Sequence, residues 1–263
     1  MTSVPFFGPG GVLGILNVLG SREKSSFHEV ISDPRLKIPA DTLKLVLGDL
    51  IQQGFVGEAV HEGKKCYSLT KKAERFGPFN QIEGLAYGWF IGDETVKNKV
   101  LEGFEQITFA TSNREIAEWY KGVMERLDAL VDEGTRNLIM QNCGYYGCAG
   151  GNRSEIEKVI EERKKFRNID DFLDHQVRKG GITREGNTLY QTYEPRKAGI
   201  RCWCSLVNSL PDDEIISPTY CQCGLGFAKK YWEDVLQRPV KVELVHSSMS
   251  GAKDCKFSIH MQI

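Results

Sequence analysis

Two Cys-x-Cys pairs, Cys202/Cys204 in "RCWCSLV" and Cys221/Cys223 in "YCQCGLGF", constrain this chain more than any other feature. Sixteen residues separate Cys204 from Cys221, enough for a loop that returns to its start. In a strand, residues i and i+2 share a face, so Cys202 and Cys204 would present two sulfurs side by side with Trp203 opposite. The second pair precedes an amphipathic helix, "GLGFAKKYWEDVLQRP", whose amino terminus lowers the pKa of a nearby thiol. The expectation is therefore a strand-borne pair facing a helix-start pair. Four thiolates so placed suit tetrahedral Zn²⁺, another thiophilic metal or an iron–sulfur cluster, with Cys143 and Cys148 of "CGYYGCAGGN" as further ligands or redox partners. Redox-active thiols, and thiols lining a ligand pocket or a core, fit the same pattern, because Cys-x-Cys lacks the extra residue of the usual zinc knuckle. Cys255 alternates with Phe257 and Ile259 and reads as a small core hydrophobe, and Cys66 reads as strand packing. His175 and His246 read as surface residues; no Ser-His-Asp or His-x-x-x-His arrangement recruits them, so no catalytic residue is assigned.

Seven of the eight cysteines lie between residues 143 and 255, which marks two unlike halves. A length of 263 residues with 41% hydrophobic content suits two ordinary cores. Lys plus Arg number 34 against 35 for Asp plus Glu, so no global positive field draws the chain to nucleic acid or to an anionic membrane. No apolar run approaches a bilayer span, and "MTSVPFFGPGG" lacks the pattern of a signal peptide. The expected location is the cytoplasm, where the cysteines stay reduced and metal binding, thiol chemistry or burial explains them better than disulfides.

In the first eighty residues, "GVLGILNVL" forms a short apolar helix and Ser25 or Ser26 caps a second. Across "PADTLKLVLGDLIQQGF", Leu43, Val46, Leu47, Leu50 and Ile51 recur at helical spacing as one buried stripe. Gly54 ends that helix, and "FVGEAV" and "CYSLT" flank a polar turn as a hairpin. After "FGPFNQIEG", the aromatic segment "GLAYGWFIG" leads to a long helix capped at Asn113, with Ile116, Trp119, Tyr120, Val123, Met124, Leu127 and Leu130 on one side. That stripe serves either a subunit interface or packing within the chain. Gly134 separates it from a second helix towards Cys143. Two further helices follow, the second stopped by Gly180 and Gly181; "ITREGNTLYQTYE" has the Glu-Gly-Asn centre of a hairpin, and "IRCWCSLV", "VKVELVHSSM" and "CKFSIHMQI" read as strands.

The order helix, helix, helix, hairpin, carried by "TLKLVLGDLIQQGFVGEAVHEGKKCYSLTKKAERFG", resembles the winged helix-turn-helix domain of bacterial and archaeal transcription regulators. The resemblance implies binding to duplex DNA, with Thr42, Lys44 and Gly48 facing the major groove and Lys64 and Lys65 meeting phosphates. Residues 1–80 hold ten Lys or Arg against eight Asp or Glu, a surplus of only two, and a winged helix also serves protein interaction. "GVMERLDALVDEGTRNLIMQNCG" and "CQCGLGFAKKYWEDVLQRPVKVELVHSSMSGAKDCKFSIHM" resemble the small domains of the bacteriochlorophyll 4-vinyl reductase and aminothiazoline-carboxylate hydrolase types. That resemblance implies a ligand pocket between sheet and helices with cysteines nearby, and the two modules together resemble redox-sensitive regulators of methanogenic archaea. The expected fold is α+β: a winged helix over 1–80, a helical connector over 81–114, and a cysteine-rich domain with a mainly antiparallel sheet over 115–263. The expected function is a homodimeric one-component regulator controlled by a metal, redox or small-molecule effector. The alternatives are a thiol-dependent hydrolase using a cysteine of the 202–223 set, and a cofactor-binding protein.

Overall fold

The computed structural model describes residues 5–8, 10–194, 202–211 and 213–261. The chain opens with α1 (Val12–Gly20), which buries Val12, Leu13, Ile15, Leu16, Val18 and Leu19. A two-residue strand, β1 (Ser25–Ser26), runs directly into α2 (Phe27–Ile31). There Ser26 accepts from the Glu29 amide while the Glu29 carboxylate accepts from the Ser26 amide, so two donors at the helix start are satisfied reciprocally. The stripe predicted for the third helix is buried in α3 (Ala40–Gln52) through Leu43, Val46, Leu47 and Leu50. Strands β2 (Val56–His61) and β3 (Lys64–Leu69) then pair around Glu62 and Gly63, both with positive φ, as a two-residue hairpin turn requires. The three strands form an antiparallel sheet in the order β1-β3-β2.

A 3₁₀ segment (Lys71–Phe79) leads into α4 (Asn80–Gly84), a π turn (Leu85–Trp89) and α5 (Glu94–Val100). The long helix α6 (Asn113–Leu130) is capped by Ser112 rather than Asn113, because Glu115 stands where it can complete a capping box with that serine. Ile116, Tyr120, Val123, Met124 and Leu127 are buried within the chain, so the apolar stripe is covered by the fold itself. Asp132 caps α7 (Glu133–Asn142), which places Gly134 inside the first turn rather than between the helices. A π turn (Cys143–Cys148), the single turn α8 (Ala149–Gly151), α9 (Arg153–Arg163) and α10 (Ile169–Lys179) follow.

Strands β4 (Ile182–Glu185), β5 (Thr188–Tyr193), β6 (Val240–His246) and β7 (Cys255–Met261) form the second sheet, antiparallel throughout, in the order β4-β5-β7-β6. The helix α11 (Gln222–Leu236) lies across it, with Trp232, Val235 and Leu236 buried against Leu189, Phe257 and Ile259. A separate, larger core runs from Phe6 through the first sheet's helices, along α6 and α7, and ends among the cysteines. The molecule is therefore α+β with two antiparallel sheets.

The expected strand over "IRCWCSLV" does not form among the described residues 202–207. Leu206 and Val207 are both buried, which one face of a strand cannot achieve for adjacent residues. The segment coils instead, with the amides of Val207 and Asn208 both donating to the Cys204 carbonyl.

Helix α11 reaches its neighbours through glycines. A Cβ on Gly226 would stand 1.9 Å from the Gln141 carbonyl oxygen, and one on Gly144 would stand 1.8 Å from that of Cys223. Backbone therefore meets backbone, and neither side can yield as a flexible side chain would. Gly226→Ala is expected to destabilise the chain by about 1–3 kcal/mol or more in urea unfolding, whereas Gly150→Ala, whose Cβ would meet open space, should stay within about 0.5 kcal/mol.

Candidate functional site

The π turn Cys143–Cys148 carries glycines at 144 and 147. Gly144 lets it close on α11, and Gly147 brings it against Trp89 and the Asn80 carbonyl on the other side. Cys148, at the end of that turn, consequently faces the start of α11, where Cys221 closes the 3₁₀ turn Pro218–Cys221 and Cys223 lies in the first helical turn. The coiled 202–211 segment brings in Cys202 and Cys204. Strand β7 adds Cys255 at its first residue.

Six sulfurs, those of Cys148, Cys202, Cys204, Cys221, Cys223 and Cys255, thus line one cavity of about 30 Å³. That volume holds one or two water-sized occupants. Gln81, Tyr220, Trp203, Gly224 and Phe227 complete the wall, which among the described residues contains no charged side chain. Trp203 stacks on Tyr193 at 5.0 Å and lies 6.3 Å from Phe227, so half-buried aromatic rings form the rim.

The four cysteines of the two Cys-x-Cys pairs do meet. Cys148 joins them, whereas Cys143 is fully buried beside Cys223 and lies outside the wall. Cys255, read from sequence as core packing, is a wall residue. Its alternation with Phe257 was the available signal: both point at α11, where a Cβ on Gly224 would stand 2.8 Å from the Phe257 ring. Gln81 had no sequence signal, being one of three polar residues, with Asn80 and Glu83, on a short helix. Cys66 sits apart on β3, opposite Ala59.

Within the cavity the thiols are arranged in touching pairs. Cys223 is hydrogen-bonded to Cys148, and Cys221 to Cys255. The Cys204 amide donates to the Cys202 sulfur at 3.4 Å. Among the described residues, no group of three or more His, Cys, Asp or Glu side chains is already arranged to hold a metal ion. Fixed donors reach three further sulfurs. Gln81 Nε2 donates to Cys148 at 2.8 Å, Tyr220 Oη to Cys204 at 2.8 Å, and the Ser248 amide to Cys255 at 3.4 Å. Gln81 is oriented by Tyr120, whose hydroxyl donates to its Oε1 at 3.1 Å, so its amide group faces the sulfur.

The expectation that a helix start lowers the thiols of Cys221 and Cys223 fails. The bond to Cys148, and then burial, push the Cys223 thiol well up, and the bond to Cys255, and then burial, do the same to Cys221. Burial likewise raises Cys143 and Cys202. Cys255 alone moves down, because it accepts from Cys221 and from Ser248. Burial also keeps Tyr120 and Tyr220 protonated, and hence donors.

On the first sheet's unit, Lys44, Gly48 and Lys64 are exposed and Thr42 is half-buried. Lys44 pairs with Asp41 at 3.3 Å and Lys65 with Glu58 at 3.1 Å. Exposed pairs of this kind are worth little and yield readily to a competing anion.

Gln81 is fully buried and satisfies two partners at once. Gln81→Leu strands the Tyr120 hydroxyl and is expected to cost about 1–3 kcal/mol in urea unfolding. Adding Tyr120→Phe should recover part of that loss, giving a coupling of about 1 kcal/mol in the double-mutant cycle. Strict additivity would show that the two side chains do not act together.

No curated protein matches this chain, and no solved structure does. Residues 91–263 match the model of a family of unknown function, DUF6144. The matched segment contains all six cysteines of the cavity and leaves Gln81 and the first sheet outside it. By that match, which takes in well over half of its length, the chain belongs to the DUF6144 family.

Proposed function

We propose that this chain is a one-component transcription regulator in which a winged helix over residues 1–80 binds duplex DNA under the control of a thiophilic metal held by the six-thiol cavity. The observation that carries the reading is the convergence of six soft sulfurs, from four separate stretches of chain, on one ion-sized space whose wall offers no competing charged ligand among the described residues.

The first unit supports the DNA-binding half. Its order α1, β1, α2, α3, β2, β3, with β3 between the other two strands, matches what a winged helix requires. In that reading α3 offers Thr42, Lys44 and Gly48 to the major groove, and the turn at Glu62 and Gly63 holds Lys64 and Lys65 against the backbone. The cavity supports the sensing half. Buried neutral thiols lose their protons as a metal enters, so uptake replaces S–H···S contacts by metal–sulfur bonds and repositions the wall. One wall residue, Gln81, belongs to α4, and the neighbouring Asn80 accepts from Asn17 of α1 at 2.8 Å. A contiguous route therefore leads from Cys148 to the helix on which the first sheet packs. Control requires that metal favour one arrangement of that route over the other.

Two observations weigh against a thiol-dependent hydrolase. A space of about 30 Å³ is small for an organic substrate, and the Cys202, Cys221 and Cys223 thiols are pushed towards their protonated, poorly nucleophilic form, with Cys255 the one wall thiol moved the other way.

Filter binding to a random-sequence duplex pool tests the reading. Binding at low salt is expected, with log K falling against log salt at a slope near −2, since about two lysines per wing meet phosphate. Lys64→Ala with Lys65→Ala should flatten that slope and weaken binding to all sequences alike. Absence of duplex binding at low salt, in both metal-free and metal-loaded protein, would overturn the regulator reading.

A further inference from the structure

We infer that the cavity takes soft, monovalent d¹⁰ cations, Cu⁺ above all, each held between two sulfurs of a touching pair, Cys148/Cys223 and Cys221/Cys255, in preference to tetrahedral Zn²⁺. This deepens the metal-sensing half of the proposed function and rests on it.

The first argument is coordination. Zn²⁺ calls for four donors at tetrahedral corners. Here the sulfurs come as twos, and among the described residues no group of three or more is set for a metal. A monovalent d¹⁰ ion is satisfied by two thiolates, and thiolate is the ligand that selects Cu⁺. The existing pairs need only part enough to admit it.

The second argument is charge. Binding at one pair is 2 RSH + Cu⁺ → [RS–Cu–SR]⁻ + 2 H⁺: two S–H bonds break, two Cu–S bonds form, both protons leave to solvent, and copper stays monovalent. The product carries one negative charge. A zinc tetrathiolate carries two on one centre, and because the cost of burying charge rises with its square, that cost is about twofold larger than for two singly charged ions, one at each pair. No lysine, arginine or histidine among the described wall residues could offset it. A single charge, in contrast, meets donors already in place. Gln81 Nε2 points at Cys148, and the Ser248 amide and hydroxyl lie 3.4 Å from Cys255. Hydrogen bonds of this kind to a ligating sulfur spread its charge and hold its orientation.

The third argument is exclusion. The small space, with room for one or two water-sized occupants, the buried thiols and the aromatic rim do not suit the several water or oxygen ligands that harder cations retain.

The test is competition on the unmodified, reduced chain under anaerobic conditions, with Cu⁺ delivered from a colorimetric chelator and Zn²⁺ present in equal amount. The expected result is about two Cu⁺ per chain, one for each pair, displacing Zn²⁺, with X-ray absorption showing sulfur as the nearest neighbour at low coordination number. Cys148→Ser and Cys255→Ser should each remove one ion, while Cys66→Ser removes none; circular dichroism of each variant confirms that it folds, and the competition itself needs no variant. Retention of Zn²⁺ in a four-sulfur shell, with Cu⁺ failing to displace it, would overturn this inference and leave the metal-sensing reading standing. Failure of the reduced chain to bind either ion would overturn both.

Discussion

The contact on which the rest of the structure depends is the one between two stretches of bare backbone, the π turn at 143–148 and the opening turns of α11. Gly144 and Gly226 remove the side chains that would hold these elements apart, and Gly147 does the same where the π turn meets α4. Close approach here sets the position of Cys148 relative to Cys223. It also anchors the end of α11 that presents Cys221, and through the sheet beneath α11 it fixes the depth of Cys255. The cavity is thus a by-product of glycine placement. The cysteines supply its chemistry and the glycines supply its dimensions.

Much of the fold was legible in the sequence because local rules governed it. The stripe of α3 and the Glu-Gly-Asn hairpin between β4 and β5 obey periodicity and turn chemistry directly. Caps were legible only to within a residue: Ser26 stands where expected, but Ser112 displaces Asn113 because a glutamate three residues on favours it. The 202–207 segment misled for a different reason. Its alternation of cysteines mimics a strand, but the second sheet already closes its order with β4 and β6 at the edges, and the adjacent pair Leu206 and Val207 both find burial in a coil.

The site was legible in part. Spacing alone suggested the four cysteines of the two pairs and, beyond them, Cys143 and Cys148, of which Cys148 joins the wall and Cys143 does not. It failed on Cys255, whose packing role and wall role coincide in one residue, and on Gln81, which acquires meaning only when α4 meets the π turn. It also failed on the electrostatics. A helix amino terminus favours thiolate, but the bond to Cys148 and then burial push Cys223 up, as the bond to Cys255 and then burial do for Cys221. Proximity in sequence reports the ligands; only the fold reports their protonation.

The aromatic rim has a kinetic consequence. Trp203, a wall residue stacked on Tyr193 and close to Phe227, ties the coiled 202–211 segment to β5 and α11, so that segment shifts only when those ring contacts break.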